Sequence, residues 1–178
     1  SQAEYCGRSG DESTLICTPL SGIFLELTWG GGQNNFDLYL IKNSANCSVS
    51  NACSYQTCTD GVSWSDDVAD TSGNPFMLME NSCGSGPENI YLEAPAVALY
   101  SMGIHRRDNA SCPNTDEGDP VEARLKLYLN GIHYNTYERD MDANLDYWEL
   151  GNLHWHADGN HVVQVVSGYE SNVQCMSP

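Results

Sequence analysis

Between Ala123 and Leu129, apolar Ala123, Leu125, Leu127 and Leu129 alternate with Arg124, Lys126 and Tyr128. A period of two puts one set of side chains on each face of an extended chain, the pattern of a half-buried β-strand. Asn130-Gly131 follows at once, and Ile132 to Tyr137 resumes the extended pattern. An Asn-Gly pair between two such runs marks a tight hairpin, because both residues tolerate positive φ. The alternation recurs at Ile23, Leu25, Leu27 and Trp29, set against Phe24, Glu26 and Thr28. Gly30-Gly31-Gly32 breaks that run, and Phe36 to Ile41 reads as its antiparallel neighbour. Further strands are expected at 76–79, 90–92, 99–105, 148–155 and 162–166, about nine in all. No stretch repeats its apolar residues with a helical period. The expected fold class is therefore all-β, an antiparallel β-sandwich of Greek-key or jelly-roll type with long disulfide-stapled loops.

The stapling is expected from eight cysteines: Cys6, Cys17, Cys47, Cys53, Cys58, Cys83, Cys112 and Cys175. An even number in a loop-rich chain favours disulfides and an oxidising compartment. A zinc ribbon is the competing reading, and the absence of any Cys-x-x-Cys pair argues against it. Cys6–Cys17 and Cys47–Cys53 are the local pairs that suggest themselves, while the full connectivity stays open. Residues 43–75 are rich in Ser, Asn, Asp, Thr and Gly, with Val49, Tyr55, Val62 and Trp64 as thinly spread anchors. So long a connection inside a compact domain points to function or to covalent tethering, and three cysteines supply the tether. A second polar loop, 106–120, carries Cys112. We read residues 1–178 as a single domain: a cystine-bearing segment over 1–22, a sandwich core over 23–166 and a tail over 167–178.

Charge narrows the partners. Asp plus Glu number 24 against seven Lys plus Arg, a formal net charge of −17. Such a surface repels phosphate backbones and anionic lipid, which excludes nucleic acid and attracts divalent cations or basic partners. A coat that merely keeps the protein soluble is the plainer account of the same charge. The longest mostly apolar stretch, 94–104, is about half the roughly 20 residues of a spanning helix, so no membrane insertion is expected. The chain opens at Ser1 without a basic, apolar leader, and any export signal is expected to have been removed.

Several motifs together resemble a bacterial secreted domain of unknown function (number 2135). They begin with Leu27-Thr28-Trp29 and Phe36-Asp37-Leu38-Tyr39-Leu40, where Asn35 and Asp37 fall on the family's two acidic positions and Tyr39 on its His. Its most specific element, Gly-x-Gly-Pro-Glu-Asn-Ile, is intact as Gly84-Ser85-Gly86-Pro87-Glu88-Asn89-Ile90. Tyr100 to His105, then Tyr128-Leu129-Asn130-Gly131 and Tyr147-Trp148-Glu149-Leu150, follow in the family's order. The resemblance spans about residues 23–156 and implies a β-sandwich, export and a bacterial cell surface, but no activity. The chain departs from the family where an acidic run is reduced to Glu80 and Asn81, with Cys83 at a usual Asp.

Three constellations carry candidate chemistry. Asn35, Asp37, Glu80, Asn81 and Glu88 offer the hard oxygens that calcium requires. Against that, Asp37 would point to solvent and Glu88 would cap its turn. Asp140, Asp142, Asn144 and Asp146 alternate like the first half of a calcium loop. Leu145 stands where an EF-hand needs Gly, so the plain alternative is an acidic hairpin tip. His154 and His156 flank Trp155 and lie one residue apart, so on a strand they project to one face. With Glu149, and with His161 nearby, they would hold a transition metal in a hydrolase or oxidase, against the plain alternative that so short a pair arises by chance. No Gly-x-Ser-x-Gly elbow and no phosphate-cradling Gly-x-Gly-x-x-Gly occurs. Trp29, Trp148 and Trp155 read as core, whereas Trp64 and Tyr55 are the aromatics expected at a ligand or partner surface.

The function expected is a secreted extracellular structural or interaction module, not an enzyme, assembling with copies of itself or with another extracellular protein or glycan, with calcium as a stabilising ion. The alternative is a carbohydrate-binding accessory module.

Overall fold

A computed structural model describes residues 4–8, 15–30, 34–43, 50–59, 62–65, 69–81, 84–107, 120–142 and 146–171. The N-terminal segment forms a hairpin of β1 (Glu4–Arg8) and β2 (Leu15–Pro19). In its register Cys6 stands directly opposite Cys17. Strands β3 (Ile23–Trp29), β4 (Phe36–Lys42) and β5 (Ala52–Cys53) follow, then a short helix α1 (Tyr55–Thr59). The remainder is β6 (Phe76–Met79), β7 (Glu88–Leu92), β8 (Ala98–Arg106), β9 (Val121–Leu129), β10 (Ile132–Met141), β11 (Asp146–Trp155) and β12 (His161–Ser171).

Two five-stranded antiparallel sheets result, with orders β10-β9-β3-β7-β6 and β12-β11-β8-β4-β5. The chain passes between the sheets after β3, β5, β7, β8 and β10, so the central strands β3 and β8 lie beside strands distant in sequence. The expected all-β sandwich is the observed architecture. Its core draws on both sheets: Leu25, Leu27 and Leu125 from one, Leu38, Met102 and Ile104 from the other, each without exposed surface. At about 25 cal/mol per Å² of apolar surface removed from water, this shared face is the main force holding the layers together.

The nine expected strands are all present, because alternation is a local property that the tertiary fold did not override. Asn130 and Gly131 take φ values of 52° and 76°, as the hairpin turn between β9 and β10 requires. In β11 a bulge between Glu149 and Gly151 shifts the register against both neighbours. It explains why the buried residues run Trp148, Leu150 and then Leu153, Trp155, changing parity midway. Strand β12 continues to Ser171, beyond the expected limit at residue 166.

Within the polar stretch 43–75 the structure differs from expectation. It contains β5 and α1, and Cys53 is bonded to Cys58, not to Cys47. The two Cα atoms are 4.9 Å apart, because α1 turns the chain back on itself immediately after β5. The side chains of Cys6, Cys17, Cys47, Cys83, Cys112 and Cys175 lie outside the described residues.

Candidate functional site

Asp37 lies on β4 with opposite parity to the core residues Phe36 and Leu38, yet it is only 5% exposed. An acid on a strand face that becomes covered needs a partner. Arg107, just past β8, supplies it: its Nε is 2.6 Å from Asp37 Oδ2. The Tyr39 hydroxyl donates to the same oxygen at 3.3 Å. Burial pushes the Asp37 pKa up, while Arg107 and Tyr39 pull it back. The Tyr39 phenol is raised by its own burial and then by the Asp37 charge beside it.

Glu88 opens β7 in the other sheet and shares the inward parity of Ile90 and Leu92, which leaves it 0% exposed. Its position follows from the edge of β4. The two-residue β5 pairs only Leu40 and Ile41, and beyond its reach Glu88 Oε2 accepts the Leu38 N–H at 2.9 Å. The carboxylate thus takes the place of a missing strand, and it joins the two sheets. The Asn81 backbone N–H also donates to it. Its other oxygen, Oε1, is buried with no hydrogen-bond partner. Burial, reinforced by Asp37 and Glu80, pushes the Glu88 pKa up to about 9.

The turn that delivers Glu88 is the Gly84–Pro87 segment. It has Gly86 at φ 82° and a cis Gly86–Pro87 peptide. The Asn81 side chain donates to Gly86 O at 3.0 Å, and Trp29 Nε1 donates to Asn34 O at 3.0 Å and to Gly84 O. Asn35 accepts the Arg107 N–H through its backbone oxygen at 2.9 Å. Of the first expected constellation, Asp37 and Glu88 thus lie beside β4 with the Glu80 charge close enough to act on both, Asn81 braces the turn before Glu88, and Asn35 is tied by its backbone to Arg107 on the β8 side.

Arg106 and Arg107 are the members that sequence reasoning missed, having placed both in the loop 106–120. Arg106 instead ends β8 with no exposed surface, donating to Met141 O at 2.6 Å and to Asn34 Oδ1 at 3.3 Å. The parity of Tyr100, Met102 and Ile104 was the available signal, since extending it by two puts Arg106 inside.

A neutral carboxyl beside an ionised one is the chemistry of acid–base pairs. Here Glu88 has no surface open to a substrate, and Asp37 is held by Arg107. The arrangement joins strands. It also has the wrong occupant for a cation site as it stands, because Arg107 takes the Asp37 oxygen that an ion would need. Among the described residues no group of three or more His, Cys, Asp or Glu is placed to hold a metal.

The other expected residues are dispersed. Asp140 and Asp142 are exposed, whereas Asn144 and the Asp146 side chain lie outside the described residues. His154 and His156 are exposed. His161 faces away from them, stacked on Trp155 at 5.5 Å between ring centroids and edge-on to Tyr134 at 5.9 Å. Tyr55 is 43% exposed, as a surface aromatic should be. Trp64 is 7% exposed and packs on Tyr100 at 5.9 Å, so its ring is not a free stacking platform. It instead forms one wall of a groove of about 410 Å³ with Lys42, Asn43, Ser50, Asn51 and Ser63.

Comparison with protein families, with curated proteins and with solved structures finds no match.

Proposed function

We infer that this chain is a secreted, disulfide-stabilised β-sandwich that works as an extracellular structural or interaction module and not as an enzyme. The observation that carries this reading is the placement of its perturbed acids. Asp37 and Glu88, the two carboxyls most like catalytic groups, are buried and spent on joining the edge of β4 to its surroundings. The Cys53–Cys58 bond supports an oxidising location, as does the likeness of Gly84–Ile90 to an exported bacterial family. Partners on this reading are copies of the chain, another extracellular protein or a glycan.

Thiol titration tests the location. Protein recovered from an oxidising compartment and then denatured should show almost none of its eight cysteines reactive. Several free thiols per chain would overturn the reading. Self-assembly would appear as filaments or large particles by electron microscopy of the same material.

Calcium enters this proposal as a stabilising ion bound only in a rearranged form of the Asp37 and Glu88 site, since as it stands no three acids among the described residues are placed to hold a metal. Binding there would require Arg107 to leave Asp37. A fall in melting temperature on chelation would support the ion, since a ligand bound only by the folded state must raise stability. No change on chelation would dismiss it.

A further inference from the structure

The groove beside Trp64 sits where the end of β4 meets the start of β5 and the segment 62–65. Its hydrogen-bonding groups are unbalanced. Three acceptors around it are engaged: Asn43 Oδ1 takes the Leu99 N–H at 3.2 Å, Asn51 O takes the Lys42 N–H at 2.8 Å, and Trp64 O takes Lys42 Nζ at 2.9 Å. Donors are left over. The Lys42 ammonium carries three N–H groups and uses one on that carbonyl, with its charge 6.0 Å from the Trp64 ring centroid. It makes no ion pair among the described residues. The Asn43 amide donates nowhere among the described residues, the Ser63 hydroxyl is exposed, and the Trp64 indole N–H is buried without an acceptor.

A cation without an ion pair among the described residues, and donors left over there, suit a ligand rich in oxygen acceptors and carrying negative charge. Lys42 is one of only two lysines in a chain of net charge −17. Apart from the nearly covered Trp64, the residues that line it carry amide, hydroxyl or ammonium groups, which suit a hydroxyl-rich ligand. The groove, about 410 Å³ in volume, is open and shallow, which suits a ligand held at the surface.

We propose that this groove binds an acidic sugar unit, with the carboxylate on Lys42 and the ring hydroxyls on Asn43 and Ser63. The proposal rests on the reading of the chain as an extracellular interaction module and names its ligand class.

The experiment is a heteronuclear NMR titration of the full chain in chelator with three probes. These are a trigalacturonate, its methyl ester with the same hydroxyls but no charge, and a short peptide with a free C-terminal carboxylate. The acidic trisaccharide should bind saturably, shifting the Lys42, Asn43 and Ser63 amides and the Trp64 indole. The ester should bind about tenfold more weakly, the loss of one charge-assisted hydrogen bond. Lys42→Met should weaken the acid to the level of the ester and leave the ester unchanged. Because Lys42 also braces Trp64, Ser63→Ala serves as a second variant that keeps that bond, and it should weaken acid and ester alike. Equal affinity for acid and ester, preference for the peptide, or no shifts in the groove would each overturn the assignment. Loss of binding alongside fully oxidised cysteines sinks the groove alone, whereas free thiols sink the parent reading.

Discussion

Replacing Glu88 with Gln should stabilise this protein at neutral pH and leave its stability unchanged in acid. In the unfolded chain the carboxyl titrates near its ordinary value of 4.5, whereas in the fold burial pushes it up to about 9. Between those limits the native state holds a proton that the unfolded state has released. Stability must then fall as pH rises, by about 1.4 kcal/mol per pH unit for one proton. The favourable contribution is complete below pH 4.5 and is lost by about pH 9. At pH 7 the accumulated loss is about 3 kcal/mol, and Gln, which has no proton to release, does not suffer it. Its amide oxygen keeps the Leu38 N–H, while its NH₂ takes the place of the unpartnered Oε1. For a chain of this length the gain corresponds to a melting temperature about 6–12 °C higher at pH 7. Urea unfolding followed by tryptophan fluorescence, from pH 4 to 9 in chelator, measures both curves. Asp37 titrates in both proteins, so the difference between them isolates Glu88. Curves that run parallel across this range, or a variant weaker than the parent at pH 7, would refute the reasoning. Parallel curves in calcium that diverge in chelator would instead place an ion on the Glu88 carboxylate.

Gly103→Ala should cost roughly 1–3 kcal/mol, because its Cβ would overlap the Tyr147 ring lying across that strand. A Tyr147→Ala background should relieve part of this loss in denaturant melts; strictly additive losses would show that the ring is not what excludes the methyl. Removing the Cys53–Cys58 bond with paired Ala substitutions should cost about 2 kcal/mol, a small effect because the closed loop is short. A much larger loss would mean that the bond braces more than α1 and β5. The Lys126 Nζ–Glu26 Oε1 pair, 2.6 Å apart but partly exposed, should show a coupling below about 1 kcal/mol in a double-mutant cycle, fading in high salt. Coupling that survives high salt would require the pair to be shielded from solvent.

The strands were legible because a strand is written in neighbouring residues. Ile23 to Trp29 and Ala123 to Leu129 declare two faces by alternation alone, and Asn130-Gly131 declares its turn by tolerated φ. The nearness of the Asp37, Glu80 and Glu88 charges was partly legible too, since acids beside apolar strand residues must find partners. What they would do there was not. Their role depends on β5 stopping after two residues and exposing the Leu38 N–H, and on Arg107 arriving from β8.

Composition, period and turn chemistry thus determined by themselves that this chain is an all-β sandwich with long polar excursions. Only the tertiary structure decided that Cys53 meets Cys58, that Trp64 turns inward to Tyr100, and that Glu88 keeps its proton. The physical reason is range. Alternation and turn preference act between adjacent residues, whereas burial, desolvation and charge pairing are set by groups that come together only when the two sheets close.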